Sequence, residues 1–199
     1  MTRSFRTFFA GLILVVPLAA AAEPLPTAEA LKERVMGDPN APVTMIEYAS
    51  LACHHCADFH AKTLPKIKER FIDTGKVKLV FRDYPFDGPA FAAAMVARCA
   101  PPQRYFQFVG VFFENQELWS HSPNPREALA RIAKLGGMNQ DDFDRCVDNR
   151  ELYAGLRQRQ LEGEQQYQIK STPSFVVRDK VITGNRPFEE FEKALSEDK

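Results

Sequence analysis

The stretch that decides the fold runs from residue 43 to residue 56 and reads VTMIEYASLACHHC. Its first seven residues are mostly β-branched or apolar, which predicts a short strand over 43–49. Apolar residues at helical spacing follow over 54–71, where Pro65 should kink or interrupt the helix. A second strand is predicted over 76–82 (KVKLVFR). The order strand, helix, strand predicts a βαβ unit with a cysteine pair at its first junction.

The rest of the chain predicts a long helical block followed by a small β-rich end. Residues 27–34 form one short helical pattern, and residues 86–167 carry helical patterns with no convincing strand. One of these helices is expected to begin at Asn139 and to extend towards Gln166. A hairpin over 174–177 and 180–183 and a last helix over 188–195 complete an α/β protein.

The beginning of the chain has the pattern of a cleavable signal peptide over residues 1–22. Arg3 and Arg6 precede an apolar run over 8–18, and small residues follow at 20–22. The run is shorter than a membrane span, although an uncleaved anchor is the alternative interpretation. Export would place the mature protein in the periplasm, an oxidising compartment where disulfides persist. Equal counts of 26 basic and 26 acidic residues give no charge excess for nucleic-acid binding.

The motif Cys53-His54-His55-Cys56 opens the first predicted helix. Unpaired N–H groups and the partial positive charge of a helix N-terminus both favour a thiolate. Cys53 should therefore be the exposed, acidic nucleophile, and Cys56 the partner that closes the disulfide. We expect His54 and His55 to stabilise the thiolate as well. A stabilised reduced dithiol makes the corresponding disulfide a stronger oxidant.

Two other interpretations of this cysteine pair are an inert bridge and a metal site. A bridge across three residues closes too small a loop to restrain much of the chain. The two cysteines, their two histidines and His60 are all metal-ligand types, but the sequence offers no second ligand pair of the usual spacing. We therefore predict no metal, and we interpret His60 as a solvated helix residue.

The stretch over 37–60, GDPNAPVTMIEYASLACHHCADFH, resembles the DsbA-type thiol-disulfide oxidoreductases. The segment STPSFVV over 171–177 is similar to the cis-proline loop of that family, and the helical block is similar in placement to its helical insertion. The resemblance implies a thioredoxin fold with a large α-helical insertion. Residues 23–85 and 168–199 would form the discontinuous thioredoxin-fold domain, and residues 86–167 the inserted domain.

The resemblance also implies roles for three further residues. Pro173 should be cis and lie beside the Cys53–Cys56 bridge, and the backbone of Thr172 should pair with an extended substrate segment. The Thr172 side chain would tune Cys53, and Glu47, a carboxylate inside an apolar strand, would relay protons to Cys56. The alternatives are an ordinary strand start at Thr172-Pro173 and a solvated Glu47 at a sheet edge.

The two remaining cysteines, Cys99 and Cys146, both fall in the predicted helical block. In an exported protein they most simply form a structural disulfide. A second redox-active or regulatory pair is the alternative.

These observations predict an exported thiol-disulfide oxidoreductase that donates its Cys53–Cys56 disulfide to reduced or unfolded exported proteins. The dithiol is the redox group, so no diffusible cofactor is expected. The resemblance implies reoxidation by a membrane quinone-linked, DsbB-like partner, and we expect a monomer with no nucleic-acid partner. The alternatives are a reductase or isomerase kept reduced by a donor protein and a metal-binding chaperone that uses the same Cys and His cluster.

Overall fold

The computed structural model describes residues 25–197 and has a five-stranded mixed sheet at its centre. The strand order is β1-β3-β2-β4-β5. β2 and β3 are parallel, whereas β1 pairs antiparallel with β3, β4 with β2, and β5 with β4. The strands are β1 Arg34–Met36, β2 Val43–Ala49, β3 Val77–Asp83, β4 Ser174–Val177 and β5 Lys180–Thr183.

The predicted βαβ unit is confirmed, and its crossover helix has an unusual form. It begins with α2 (His54–Asp58), widens into a π-helical turn, continues as α3 (Leu64–Ile67) and ends in a second π-helical turn. The junctions keep right-handed helical backbone angles, so the axis continues through all four segments. Pro65 lies in the first turn of α3, directly after the widened turn. At this position the missing N–H and the ring of Pro65 do not interrupt the helix. The expected interruption is therefore not found.

The region between β3 and β4 contains six α-helices and one short 3₁₀ turn (Pro102–Arg104) within the described residues, and no strand. Asn124 and Asn139 cap their helices, because each side chain accepts a hydrogen bond from a backbone N–H three residues on. The helices are α4 Gly88–Cys99, α5 Tyr105–Glu114, α6 Gln116–Ser120, α7 Pro125–Leu135, α8 Gln140–Val147 and α9 Arg150–Tyr167.

Two sequence expectations about element boundaries are wrong. The helix that begins after Asn139 ends at Val147, and α9 starts a new helix whose first turn is capped by Asn149. The predicted helical run over 27–34 is reduced to α1 (Thr27–Ala30), because Arg34 begins β1 instead. The antiparallel partner β3 supplies backbone hydrogen bonds that this short segment could not obtain alone.

The sheet packs against helices through two aromatic-rich clusters. One cluster joins β2 and β4 to the crossover helix and to α10 (Phe188–Ser196), where Phe59, Phe175 and Phe191 stack with ring centroids 4.4–5.4 Å apart. The other cluster joins the end of β2 and the start of α2 to the helical block and includes Phe112 and Trp119, which are fully buried.

A buried ion pair connects the sheet to the helical block. Arg98 on α4 donates from Nε to the carboxylate of Asp83, the last residue of β3, at 2.5 Å. Both side chains are almost completely buried, and the Tyr105 hydroxyl donates to the same carboxylate. Pairing and hydrogen bonding offset the large cost of burying these charges. None of the helices in residues 25–197 is long and apolar enough to span a membrane.

Candidate active site

The cysteine pair lies where β2 ends and α2 begins. Cys53 is the N-cap of α2 in an extended conformation, and its carbonyl accepts hydrogen bonds from the N–H groups of Cys56 and Ala57 at 3.0 and 3.1 Å. Both cysteines are free thiols. Cys53 is half-buried, whereas Cys56 is fully buried one turn further along the helix. Only Cys53 is thus accessible to a thiol that approaches from solvent.

The loop before β4 lies directly beside Cys53. The Thr172–Pro173 peptide bond is cis, as the resemblance implies. The Cys53 thiol donates to the Thr172 carbonyl oxygen with an Sγ–O distance of 3.4 Å. The N–H of Gly184, after β5, donates to the Pro173 carbonyl at 2.8 Å and fixes the other side of the loop. The fold therefore brings together two motifs that the whole helical block separates in sequence.

The surroundings of Cys53 stabilise its thiolate. A hydrogen bond from the Cys56 thiol, partly opposed by burial, lowers the pKa of Cys53 from its ordinary value of 9.0 to about 5. Thr172 and the backbone N–H groups of His55 and Cys56 add to the lowering. These N–H groups belong to the first turn of α2, at the helix end whose partial positive charge favours a thiolate. The structure thus identifies the backbone N–H groups through which the helix N-terminus lowers the pKa of Cys53.

Cys56 is affected in the opposite direction. Burial raises its pKa well above 9.0, and the neighbouring Cys53 and the charge of Glu47 raise it further. Cys56 consequently holds its proton at neutral pH, while Cys53 does not. The accessible sulfur thus favours the thiolate, which is the reactive form of a cysteine, and the buried sulfur favours the thiol.

The two histidines of the motif are both exposed. The His54 side chain is 72% exposed and lies 3.5 Å from the carboxylate of Asp58, one helical turn on. Neither imidazole hydrogen-bonds to a cysteine sulfur within residues 25–197. A direct imidazole–thiolate hydrogen bond is therefore absent from the described site, and the contribution of His55 to the acidity of Cys53 comes from its backbone N–H.

Glu47 and His60 form a buried pair, which corrects the interpretation of His60 as a solvated residue. His60 Nε2 lies within hydrogen-bond distance of both carboxylate oxygens of Glu47, at 2.9 and 3.1 Å. The Glu47 side chain is fully buried and that of His60 is 10% exposed. The alternative of a solvated Glu47 is excluded as well. A sequence signal existed, because His60 follows Cys56 by four residues and thus shares its helix face.

Cys99 and Cys146 form a disulfide between α4 and α8, with Cα atoms 6.2 Å apart. Both are buried in a hydrophobic cluster separate from the one that contains Cys56. Within residues 25–197, no group of three or more His, Cys, Asp or Glu side chains is arranged to hold a metal ion.

Comparison with known proteins agrees with this fold and site. A family model described as thioredoxin matches residues 29–197. The crystal structure of alpha-DsbA1 from Wolbachia pipientis has a TM-score of 0.77 at 31% sequence identity, covering 87% of this chain and 91% of that chain. The chain therefore belongs to the thioredoxin family, among its DsbA-like members, and the predicted resemblance is confirmed.

Curated relatives carry names of the same kind. A putative protein-disulfide oxidoreductase of Rickettsia conorii is 32% identical over 172 residues, which cover 84% of this chain and 62% of that protein. Disulfide bond formation protein D of Bacillus subtilis is 26% identical over 82% of this chain and 76% of its own length. The chain thus spans less than two thirds of the length of the Rickettsia relative.

Proposed function

We propose that this protein is an exported thiol-disulfide oxidoreductase that donates its Cys53–Cys56 disulfide to reduced substrate proteins. The observation that carries the proposal is the unequal pair of cysteines: an accessible sulfur with a pKa of about 5 beside a buried sulfur with a pKa well above 9.0. The signal peptide that export requires was predicted over residues 1–22 and lies outside the described residues.

The reaction begins when a substrate thiolate attacks Cys53 Sγ. The Cys53–Cys56 bond breaks, a mixed disulfide forms with Cys53, and Cys56 leaves as a thiolate that takes up a proton. A second substrate thiolate then attacks the substrate sulfur of the mixed disulfide and releases Cys53. Because thiols of low pKa leave faster, the acidity of Cys53 favours this release.

The same acidity gives the reaction its direction. Relative to an ordinary thiol, the lowered pKa of Cys53 stabilises the reduced form at neutral pH by at most about 3 kcal/mol. Solvent screening reduces that figure, because Cys53 is only half-buried. At about 30 mV for each 1.4 kcal/mol, the upper limit corresponds to roughly 60 mV towards a more oxidising disulfide. The enzyme should thus accept electrons from substrate thiols.

Substrate chains would bind as an extended strand beside the loop that contains Thr172 and Pro173, through backbone hydrogen bonds. Thr172 would tune Cys53, and Glu47 would exchange protons with Cys56. The membrane quinone-linked, DsbB-like partner, the monomeric state and the discontinuous two-domain division remain part of this proposal.

Two activities measured side by side test the proposed function. Oxidation of a reduced dithiol peptide should be fast, and reduction of insulin should be slow by comparison. Cys53→Ser should abolish both, whereas Cys56→Ser should accumulate a mixed disulfide between Cys53 and an insulin sulfur, formed when Cys53 breaks an insulin disulfide. An equilibrium potential in glutathione buffers near that of thioredoxin, about −270 mV, would instead favour a reductase.

A further inference from the structure

The carboxylate of Glu47 has no direct access to solvent. Its side chain is fully buried in β2, between Phe81 of β3 and Phe175 of β4 in the sheet register. Among the described residues, its one charged or polar side-chain partner is His60. A group that exchanges protons with Cys56 must itself be resupplied with protons, so Glu47 needs a path to the surface.

His60 lies between that carboxylate and solvent. Its Nε2 faces both oxygens of Glu47, while the hydrogen bonds of the described chain leave Nδ1 without a protein partner. The ring packs against Phe113 on α5, with centroids 4.4 Å apart, and its side chain is 10% exposed. An imidazole can bind a proton on one nitrogen and release another from its second nitrogen. Because Nδ1 has no protein partner and is not a buried atom, the ring contacts the buried acid through Nε2 and reaches solvent through Nδ1.

We propose that His60 is the proton conduit between solvent and Glu47, a positioning residue for the chemistry of Cys56. This inference rests on the proposed function. When a substrate thiolate breaks the Cys53–Cys56 bond, both bonding electrons leave on Cys56. Nδ1 of His60 takes a proton from water, Nε2 passes its proton to Glu47, and Glu47 passes one to Cys56.

Reoxidation of the dithiol reverses these transfers. Cys56 loses its proton to Glu47 as the disulfide re-forms, Glu47 returns a proton to Nε2, and Nδ1 releases one to water. One proton enters and one leaves in each cycle, so the ring regains its starting tautomer without rotating. The two electrons gained from the substrate leave to the reoxidant, a disulfide or quinone of the kind that the proposed function already requires.

Stopped-flow measurement of disulfide opening by reduced glutathione tests the conduit, using His60→Ala and His60→Gln. Loss of a positioned proton donor typically slows a reaction about 10²-fold, and we expect a slowing of this order in both variants. Added imidazole should restore much of the rate of His60→Ala. Glutamine keeps an N–H donor for Glu47 but cannot relay a proton, so a wild-type rate for His60→Gln would overturn the proposal.

His121→Ala is the matched control. His121 also pairs with a glutamate, Glu117 at 3.3 Å, but both side chains are about three-quarters exposed on and next to α6. This variant should open at the wild-type rate and should not respond to imidazole. In a Glu47→Gln background, His60→Ala should cause no further slowing, because both act on one path.

Three results separate this inference from the proposed function. A wild-type protein that does not exchange with thiols would contradict the proposed function itself. An active wild type with a slow, folded His60→Ala that imidazole does not rescue would contradict the conduit alone, as would further slowing of Glu47→Gln by His60→Ala.

Discussion

Thr172 affects the pKa values of both cysteines. Its carbonyl oxygen accepts a hydrogen bond from the Cys53 thiol. Its buried Oγ1 has no hydrogen-bond partner within residues 25–197. Thr172 nevertheless lowers the pKa of Cys53 and opposes the rise in the pKa of Cys56. Its hydroxyl is therefore positioned to donate to a thiolate when one forms.

Thr172→Val should raise the pKa of Cys53 above about 5, because valine keeps the shape of threonine without its hydroxyl. The rate of alkylation by iodoacetamide, followed against pH, gives the midpoint directly. Thr44→Val on β2 is the control and should leave the midpoint unchanged. A Thr172→Val curve that overlays the wild-type curve would show that the Thr172 hydroxyl does not lower the pKa of Cys53.

At this scale, the motifs themselves were readable from sequence. The cysteine pair and Thr172-Pro173 are short patterns with a defined chemical purpose. The spacing of four residues places His60 on the helix face of Cys56, but it does not show whether that face is buried, and His60 was therefore misread as solvated. Its pairing with Glu47 depends on how the crossover helix lies over β2, which is a tertiary fact.

Among the helices, α9 reaches the sheet only because residue 163 is glycine. A Cβ at Gly163 would lie 2.4 Å from the ring of Tyr48 on β2. Tyr48 is fully buried and immediately follows Glu47, so its ring cannot retreat without disturbing the strand. By contrast, a Cβ at Gly110 on α5 would meet no atom within 4 Å.

Gly163→Ala should therefore destabilise the protein by about 1–3 kcal/mol through overpacking. Gly110→Ala, its control, should stabilise by about 0.5–1 kcal/mol, because alanine is the better helix former. Chemical denaturation of both variants measures whether each substitution lowers or raises the free energy of unfolding. Equal effects would mean that α9 can shift away from β2 without cost.

Strand and helix types were largely predictable, whereas some boundaries were not. β2, β4 and β5 have their predicted bounds, because their apolar runs end at polar or turn residues. The break between α8 and α9 was not predicted, because polar residues that favour helix continue on both sides of it. Only Asn149, whose side chain accepts from the N–H of Leu152, marks the new start.

For the molecule as a whole, the acidity of Cys53 links redox state to stability. Its folded pKa of about 5 lies below its ordinary value of 9.0. The unfolded reduced chain therefore binds a proton that the folded chain does not, over the pH range between these values. The resulting stabilisation of the reduced form is present above pH 9 and is lost as pH falls through about 5.

We expect the reduced form to lose stability relative to the oxidised form on acidification from neutral pH to below about 5. Guanidinium unfolding of both forms across this range measures the difference. Reduced Cys53→Ser should show no such trend. A difference that stays constant through this range would contradict a lowered Cys53 pKa.

The whole-molecule arrangement was accessible only through family resemblance. Nothing local in the sequence orders the strands as β1-β3-β2-β4-β5 or pairs Arg98 with Asp83. These contacts join segments that are distant in the chain, and their partners are chosen by packing. The division into an inserted domain and a discontinuous domain stays a prediction.

The cis-proline loop has a consequence for the timing of activity. Residues 171–173 are made long after Cys53, since the entire helical block is synthesised between them. Until that late segment arrives and docks, Cys53 lacks the Thr172 contacts that help to make it acidic. Before residues 171–173 are made and docked, the pKa of Cys53 should therefore lie above its value in the folded protein, and less of this sulfur should be thiolate.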